Sequence, residues 1–150
     1  MPMPKQFYSL CRSLSFIYLL GKTCGFLLPA FHQHLEHGTR VQGYTEPIML
    51  ILAPTRELSV QIMEEAQKFG RPLGIRTVCC YGGASKYPQI AALERGVECV
   101  IATPGRLNDL LEMRKANLSK IKFLVLDEAD RMLVSSACVG RPVSHVVGQF

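Results

Sequence analysis

Short runs of consecutive apolar residues recur along this chain, separated by segments with helical spacing of their apolar residues. A strand that is apolar at every position is buried on both faces, which is typical of parallel sheets. We therefore predict an α/β protein with a doubly wound, mostly parallel sheet. The predicted strands are 48–53, 76–81, 97–102 and 121–126, and the predicted helices are 25–35, 57–69, 87–94 and 106–113.

Length and composition are those of a single globular domain. The 150 residues are 48% hydrophobic and 19% charged, which is ordinary usage for a chain that buries a core. The formal charge of +5 is compatible with a polyanionic partner, although many basic proteins bind none. The cysteines form no CxxC pair, so we expect no structural metal site and an intracellular location, in the nucleus or the cytoplasm.

Residues 1–20 combine Lys5 and Arg12 with an apolar stretch at 14–20. This order imitates the charged and apolar regions of a signal peptide. The stretch is too short for a membrane span, which needs ~20 residues, and Lys22 interrupts it. We therefore expect no signal peptide and no membrane partner, and we interpret 14–20 as a core strand.

Gly21-Lys22-Thr23 has the composition of the second half of a phosphate-binding loop. In such a loop, glycine brings backbone N–H groups onto phosphates, lysine reaches the terminal phosphates and a hydroxyl group holds Mg²⁺. Taken alone, the three residues are also compatible with a chance turn. The residues before Gly21, Phe16–Leu20, are bulky and disfavour the close backbone approach that glycine permits. We therefore expect weakened nucleotide binding.

Two predicted strand-to-helix junctions share a threonine followed by an arginine. They are Pro54-Thr55-Arg56 and Thr103-Pro104-Gly105-Arg106. One interpretation is structural, with threonines that cap the helices and arginines that are solvated first-turn residues. The other is functional: the carboxyl ends of parallel strands bring both arginines, together with Gly82-Gly83, to one edge of the sheet. There they would form a track for a phosphate backbone.

Asp127 and Glu128 directly follow the last apolar run. A carboxylate at the end of a strand commonly holds Mg²⁺ through water. A neighbouring carboxylate can orient the water that attacks in phosphoryl transfer. The structural alternative is an ordinary helix N-terminus, where acidic side chains complement the helix dipole.

Five segments together resemble the motifs of the DEAD-box ATP-dependent RNA helicases, in the order that the family has. The resemblance spans residues 21–133. It implies a RecA-like fold of the P-loop NTPase type, the first such domain of an enzyme that couples ATP hydrolysis to RNA binding and local unwinding. The segments are Gly21–Thr23, Ala53–Leu58, Tyr81–Gly83, Ala102–Leu107 and Val125–Leu133.

The resemblance also implies ATP and Mg²⁺ as cofactors and RNA as a partner. It implies that Gly21, Lys22, Thr23 and Asp127 face ATP, with Mg²⁺ near Thr23 and Asp127. The catalytic residues would be Glu128, Asp127 and Lys22, with Glu128 beside the hydrolytic water. Asp130 would couple this domain to a second one. The residues implied to lie along the RNA backbone are Pro54, Thr55, Arg56, Gly82, Gly83, Thr103, Pro104, Gly105 and Arg106.

Both ends of the chain depart from the family pattern. Residues 1–20 contain no adenine-reading Q motif, and 134–150 contain no motif III. We therefore expect a partial RecA-like domain over 21–133, incomplete at both ends, between a non-matching segment and a non-matching tail. An alternative splice product or a mis-joined gene model would produce this pattern.

We expect the chain to be catalytically impaired by itself. One alternative is a non-catalytic module that binds RNA or the protein partners of the full-length helicase. Another is a fragment that does not fold, because strand 121–126 would expose an apolar edge.

Overall fold

The computed structural model describes residues 22–37 and 46–132. Helices and strands alternate in these residues, and each strand and helix predicted there is present. The strands are β1 (Met49–Leu52), β2 (Thr77–Cys80), β3 (Cys99–Ala102) and β4 (Phe123–Leu126). The helices are α1 (Lys22–His37), α2 (Arg56–Gly70), α3 (Tyr87–Glu94) and α4 (Pro104–Glu112), with a 3₁₀ turn at Arg71–Leu73 after α2.

Three sequence-based predictions lie outside the described residues: the core strand at 14–20, the position of Gly21, and the tail at 134–150. The side chain of Lys22 also lies outside them, although its backbone begins α1. The helix predicted over 25–35 is longer than expected and continues through Pro29.

The four strands form one parallel sheet in the order β2-β3-β1-β4. The pairing is in register at the carboxyl ends, because Leu52 lies opposite both Ala102 and Leu126, and Cys80 lies opposite Ala102. All four strands therefore end at the same level. The predicted doubly wound, parallel α/β fold is confirmed.

Each central strand alternates its side chains between two buried layers, as the strand period of two residues requires. Met49 and Ile51 of β1 pack with residues of α1 and α2 on one face of the sheet. Leu50 and Leu52 pack with residues of α3 and α4 on the other face. This two-sided burial explains why β1 and β3 are apolar at every position.

Strand β4 differs from the central strands because it is only partly covered. Among the described residues it pairs with β1 alone, and Leu126 is 39% exposed. No helix in residues 22–37 or 46–132 is long and apolar enough to cross a membrane.

Candidate nucleic-acid interface

The loops that leave the four strands lie side by side along the carboxyl edge of the sheet. Backbone hydrogen bonds continue the ladder one residue beyond the strands: Ala53 N–H donates to Ala102 O at 3.0 Å, Thr103 N–H to Cys80 O at 2.9 Å and Asp127 N–H to Leu52 O at 2.9 Å. Neighbouring strands are ~4.8 Å apart. The edge therefore carries, in order, the residues 81–83, 103–106, 53–56 and 127–128.

The two threonines at this edge differ in their hydrogen bonding. The hydroxyl oxygen of Thr55 accepts from Leu58 N–H at 3.3 Å, so its predicted capping of α2 is confirmed. Thr103 has a similar extended backbone, yet its side chain makes no capping bond to α4. The Thr103 hydroxyl forms no hydrogen bond within the described residues and is available to a ligand.

Arg56 extends from the first turn of α2 across to the loop after β2. Its guanidinium carbon lies 4.8 Å from the centre of the Tyr81 ring, which is cation–π geometry. Its Nη1 atom is 3.9 Å from the position that a Cβ atom would occupy at Gly83. Gly83 has φ = 77°, a left-handed conformation that favours glycine. Arg56 and Gly83, predicted from sequence to share a site, are brought together.

Arg106 reaches the same loop from the first turn of α4. Its Nη2 donates to Ala84 O at 3.0 Å and its Nη1 to Gln89 Oε1 at 3.0 Å. Gln89 is buried, and its Nε2 donates to Tyr81 O at 3.2 Å. The Gln89 amide therefore fixes the loop and the guanidinium of Arg106 together.

Sequence reasoning missed Gln89 as a site residue. The available signal was a polar side chain on the face of α3 that also carries the buried residues Ile90 and Leu93. A buried amide must find partners for its donor and acceptor atoms. In the first turn of a helix that follows a glycine-containing loop, such a position indicates that those partners lie in the loop.

The arginines of this edge lie apart from the carboxylates of residues 22–37 and 46–132. Within the described residues, neither Arg56 nor Arg106 forms an ion pair with an acidic side chain, whereas Arg76 at the opposite edge pairs with the buried Glu98 at 2.8 Å. Neutral partners such as the Tyr81 ring leave the charge in place. The ends of β2, β3 and β1 thus present a positively charged strip.

The β4 end of the edge is acidic. Within the described residues, the Asp127 carboxylate accepts no hydrogen bond. Glu128 has φ = 53°, an unusual conformation for a residue other than glycine. Its carboxylate pairs with Arg131 Nη1 at 2.9 Å, and Asp130 is exposed.

The donor atoms at the acidic end suit Mg²⁺, which prefers oxygen ligands. Asp127 offers a carboxylate that forms no ion pair within the described residues. Thr23, the other residue predicted to lie near Mg²⁺, is in the first turn of α1. No group of three acidic, His or Cys side chains in the described residues lies close enough to hold a metal alone. An ion here would therefore need further oxygen atoms from a nucleotide and from water.

The cysteines of β2 and β3 are packing residues. Burial raises the pKa of the Cys80 thiol to about 12 and that of Cys99 to about 12. It also raises the pKa of Cys79 to about 11. These thiols are protonated at neutral pH and are poor nucleophiles, so they act as small hydrophobic residues.

The fold and this edge define a doubly wound α/β domain of the kind that binds ligands outside the carboxyl ends of its strands. The model of the DEAD/DEAH box helicase family matches residues 20–148. The chain belongs to this family, and the prediction of a RecA-like DEAD-box domain is confirmed.

Curated relatives agree with this assignment. The chain is 57% identical over 115 residues to DEAD-box ATP-dependent RNA helicase 40 of Oryza sativa subsp. japonica, covering 75% of this chain and 14% of that protein. It is 59% identical over 113 residues to DEAD-box ATP-dependent RNA helicase 30 of Arabidopsis thaliana, covering 75% of this chain and 19% of that protein. The chain thus spans less than a quarter of the length of these relatives.

Two solved structures share the fold. The RNA-helicase Prp28 from Chaetomium thermophilum, bound to ADP, is 45% identical with a TM-score of 0.69, over 77% of this chain and 28% of that one. The yeast DEAD-box splicing factor Prp28 is 33% identical with a TM-score of 0.69, over 77% of this chain and 27% of that one.

Proposed function

We propose that the carboxyl edge of the sheet binds the sugar–phosphate backbone of single-stranded RNA, as part of an ATP-dependent RNA helicase. The observation that carries this proposal is the convergence of Arg56 and Arg106 on the loop at 82–84, where neither forms an ion pair with a carboxylate of the described residues. Both guanidinium groups are held by neutral protein atoms, so they are positioned for phosphate oxygens before RNA arrives.

The chemical groups of the strip suit binding of the RNA sugar–phosphate backbone and do not select a base sequence. Phosphate oxygens accept hydrogen bonds from guanidinium groups, hydroxyl groups and backbone N–H groups. The strip offers Arg56 and Arg106, the Thr103 hydroxyl, and the backbone at Gly82, Gly83 and Gly105, where no side chain blocks approach. Binding of this kind is sensitive to salt and tolerant of sequence. Pro54, Thr55 and Pro104 shape the two junctions that present these groups.

We propose that ATP and Mg²⁺ bind between α1 and the acidic end of the edge. Gly21, Lys22 and Thr23 would hold the phosphates, and Asp127 would hold Mg²⁺ through water. Bound MgATP supplies the phosphoanhydride bond whose hydrolysis the family couples to RNA. Glu128 would orient the attacking water and accept its proton on a carboxylate oxygen, which first requires release from Arg131.

The residue Asp130 would couple the site to a second domain, which unwinding requires. We infer that this chain by itself is catalytically impaired, because the bulky residues 16–20 precede the phosphate loop. The protein would act inside the cell, in the nucleus or the cytoplasm, and the partners of the full-length helicase would be its protein partners.

RNA binding by the purified chain tests the proposal, using fluorescence anisotropy with a labelled oligouridylate at several salt concentrations. Arg56→Gln and Arg106→Gln are each expected to lower the slope of log Kd against log salt by about one. Arg71→Gln is the matched control, because Arg71 lies at the other end of α2 and bonds Gln67 at 2.9 Å. Equal effects of all three substitutions would refute a specific strip.

Adding nucleotide separates the catalytic proposal from the non-catalytic alternative. Salt-sensitive RNA binding that does not depend on ATP would favour the non-catalytic alternative. For this chain by itself we expect negligible RNA-stimulated ATP hydrolysis. A measurable hydrolysis rate that Asp127→Asn or Glu128→Gln abolishes would contradict catalytic impairment. A comparison of nucleotide binding by wild type and by Lys22→Ala tests the phosphate loop directly.

Folding of the chain is tested by circular dichroism. A cooperative thermal transition would exclude the alternative of a fragment that does not fold.

A further inference from the structure

Tyr87 is the most exposed of the large hydrophobic side chains among the described residues, at 76%. It is the first residue of α3, and it follows directly on the loop at 82–86 to which both edge arginines reach. Pro88 comes next and lies in the first turn, where its fixed φ suits a helix start. The ring of Tyr87 therefore stands on a rigid part of the backbone while packing little against the protein.

Two neighbours make Tyr87 part of a small surface, which we call the Tyr87 patch: Lys86, Tyr87 and Met113. Lys86 Nζ lies 3.7 Å from Met113 Sδ, and Met113 is 41% exposed. Within the described residues, Lys86 forms no ion pair with a carboxylate. The patch thus combines an aromatic ring with an unneutralised positive charge.

Residues before and after Tyr87 in the sequence contact Arg106 of the proposed phosphate strip. Ala84, three residues before Tyr87, accepts a hydrogen bond from Arg106 at 3.0 Å, and Gln89, two residues after it, accepts another at 3.0 Å. Three residues of chain span at most about 11 Å. Tyr87 therefore lies within about 11 Å of Ala84, the residue whose carbonyl oxygen accepts from Arg106 of the strip.

We propose that Tyr87 stacks on a base of the RNA strand whose backbone lies on the strip, and that Lys86 contacts an adjacent phosphate. This inference rests on the proposed RNA-binding function and extends it from the backbone to a base. Aromatic side chains interleaved with basic ones suit single-stranded nucleic acid, since every base offers a π-face and stacking tolerates sequence. The high exposure of Tyr87 also means that its removal leaves the core intact.

Binding of oligouridylate to the full chain tests the inference with three substitutions and one control. Tyr87→Ala is expected to weaken the affinity about fivefold or more, and Tyr87→Phe, which keeps the ring, about twofold at most. The salt slope stays unchanged for Tyr87→Ala, whereas Lys86→Gln lowers it by about one. Gln61→Ala is the control, because Gln61 is exposed on α2 outside the patch, and it leaves the affinity at the wild-type value.

An abasic oligomer with the same backbone isolates the stacking contact. On it, Tyr87→Ala and wild type are expected to bind equally, because no base is present. Equal affinity of Tyr87→Ala and wild type for oligouridylate would overturn the inference, and so would an equal loss on the abasic oligomer. If Arg56→Gln weakens binding while Tyr87→Ala does not, the phosphate strip stands without the stacking residue. If wild type binds no RNA, both proposals fall.

Discussion

Replacing Gln89 by leucine removes the buried amide that holds the loop after β2 and Arg106 together. The substitution nearly preserves side-chain volume, so a change in packing contributes little. It deletes the bond from Nε2 to Tyr81 O at 3.2 Å and the bond from Arg106 to Oε1 at 3.0 Å. The Tyr81 carbonyl then loses this donor, and Arg106 keeps Ala84 O as its remaining protein partner.

The two bonds set the size of the effect. A neutral hydrogen bond contributes about 1 kcal/mol and one to a charged group about 1.5–3 kcal/mol. Arg106 is half-buried and regains water when it loses Gln89, so its contribution falls at or below the low end of that range. The leucine side chain recovers part of the loss by apolar burial. We expect the free energy of unfolding to fall by about 2 kcal/mol.

Urea denaturation followed by circular dichroism measures this change, with an unchanged m-value as the condition for comparison. Gln61→Leu is the matched control, since Gln61 is exposed on α2 and its replacement is expected within about 0.5 kcal/mol of wild type. Gln89→Glu restores an acceptor for Arg106 but offers no donor to Tyr81 O, so it is expected between wild type and Gln89→Leu. A Gln89→Leu protein as stable as Gln61→Leu would refute the bracing role of the amide.

Two further predictions concern the backbone and the buried thiols. Gly83→Ala places a side chain at φ = 77° and is expected to lower the free energy of unfolding by about 1–2 kcal/mol. The added methyl group causes no steric clash, because the nearest atom, Arg56 Nη1, is 3.9 Å away. A melting temperature at or above the wild-type value would contradict this prediction. Burial raises the pKa of Cys99 from 9.0 to about 12, so the thiol ionises at lower pH in the unfolded chain than in the folded one. The stability that the buried thiol contributes is complete below pH 9 and is lost as pH rises towards 12. Cys99→Ala is therefore expected to flatten the fall of the urea midpoint across that window, and an identical slope would show that Cys99 does not contribute.

The fold was predictable because its signals are local. Continuous apolar runs indicate strands that are buried on both faces, as in a parallel sheet. In a parallel sheet the strands end at the same edge, so the junctions at 54–56 and 103–106 are expected to lie there together. Helix boundaries were predicted less well. The first helix, predicted over 25–35, spans Lys22–His37. Helix α4 begins at Pro104 and not at 106, because proline suits the first turn of a helix.

The pairings within the site were not predictable, because they join residues that are distant in sequence. Arg106 meets Gln89 from 17 residues away, and Arg56 meets the Tyr81 ring across β3. The left-handed backbone of Glu128 likewise has no local signature, since glutamate rarely adopts that conformation by itself.

Amide hydrogen–deuterium exchange of the full chain, with and without single-stranded RNA, tests most directly whether the junctions after β1, β2 and β3 form one binding surface. RNA is expected to slow exchange together at 55–57, 81–84 and 103–106. It is expected to leave unchanged the opposite edge at 95–98 and 115–120, which precede β3 and β4 in the chain. Protection confined to that opposite edge, or RNA binding with no protection at the junctions, would contradict the account.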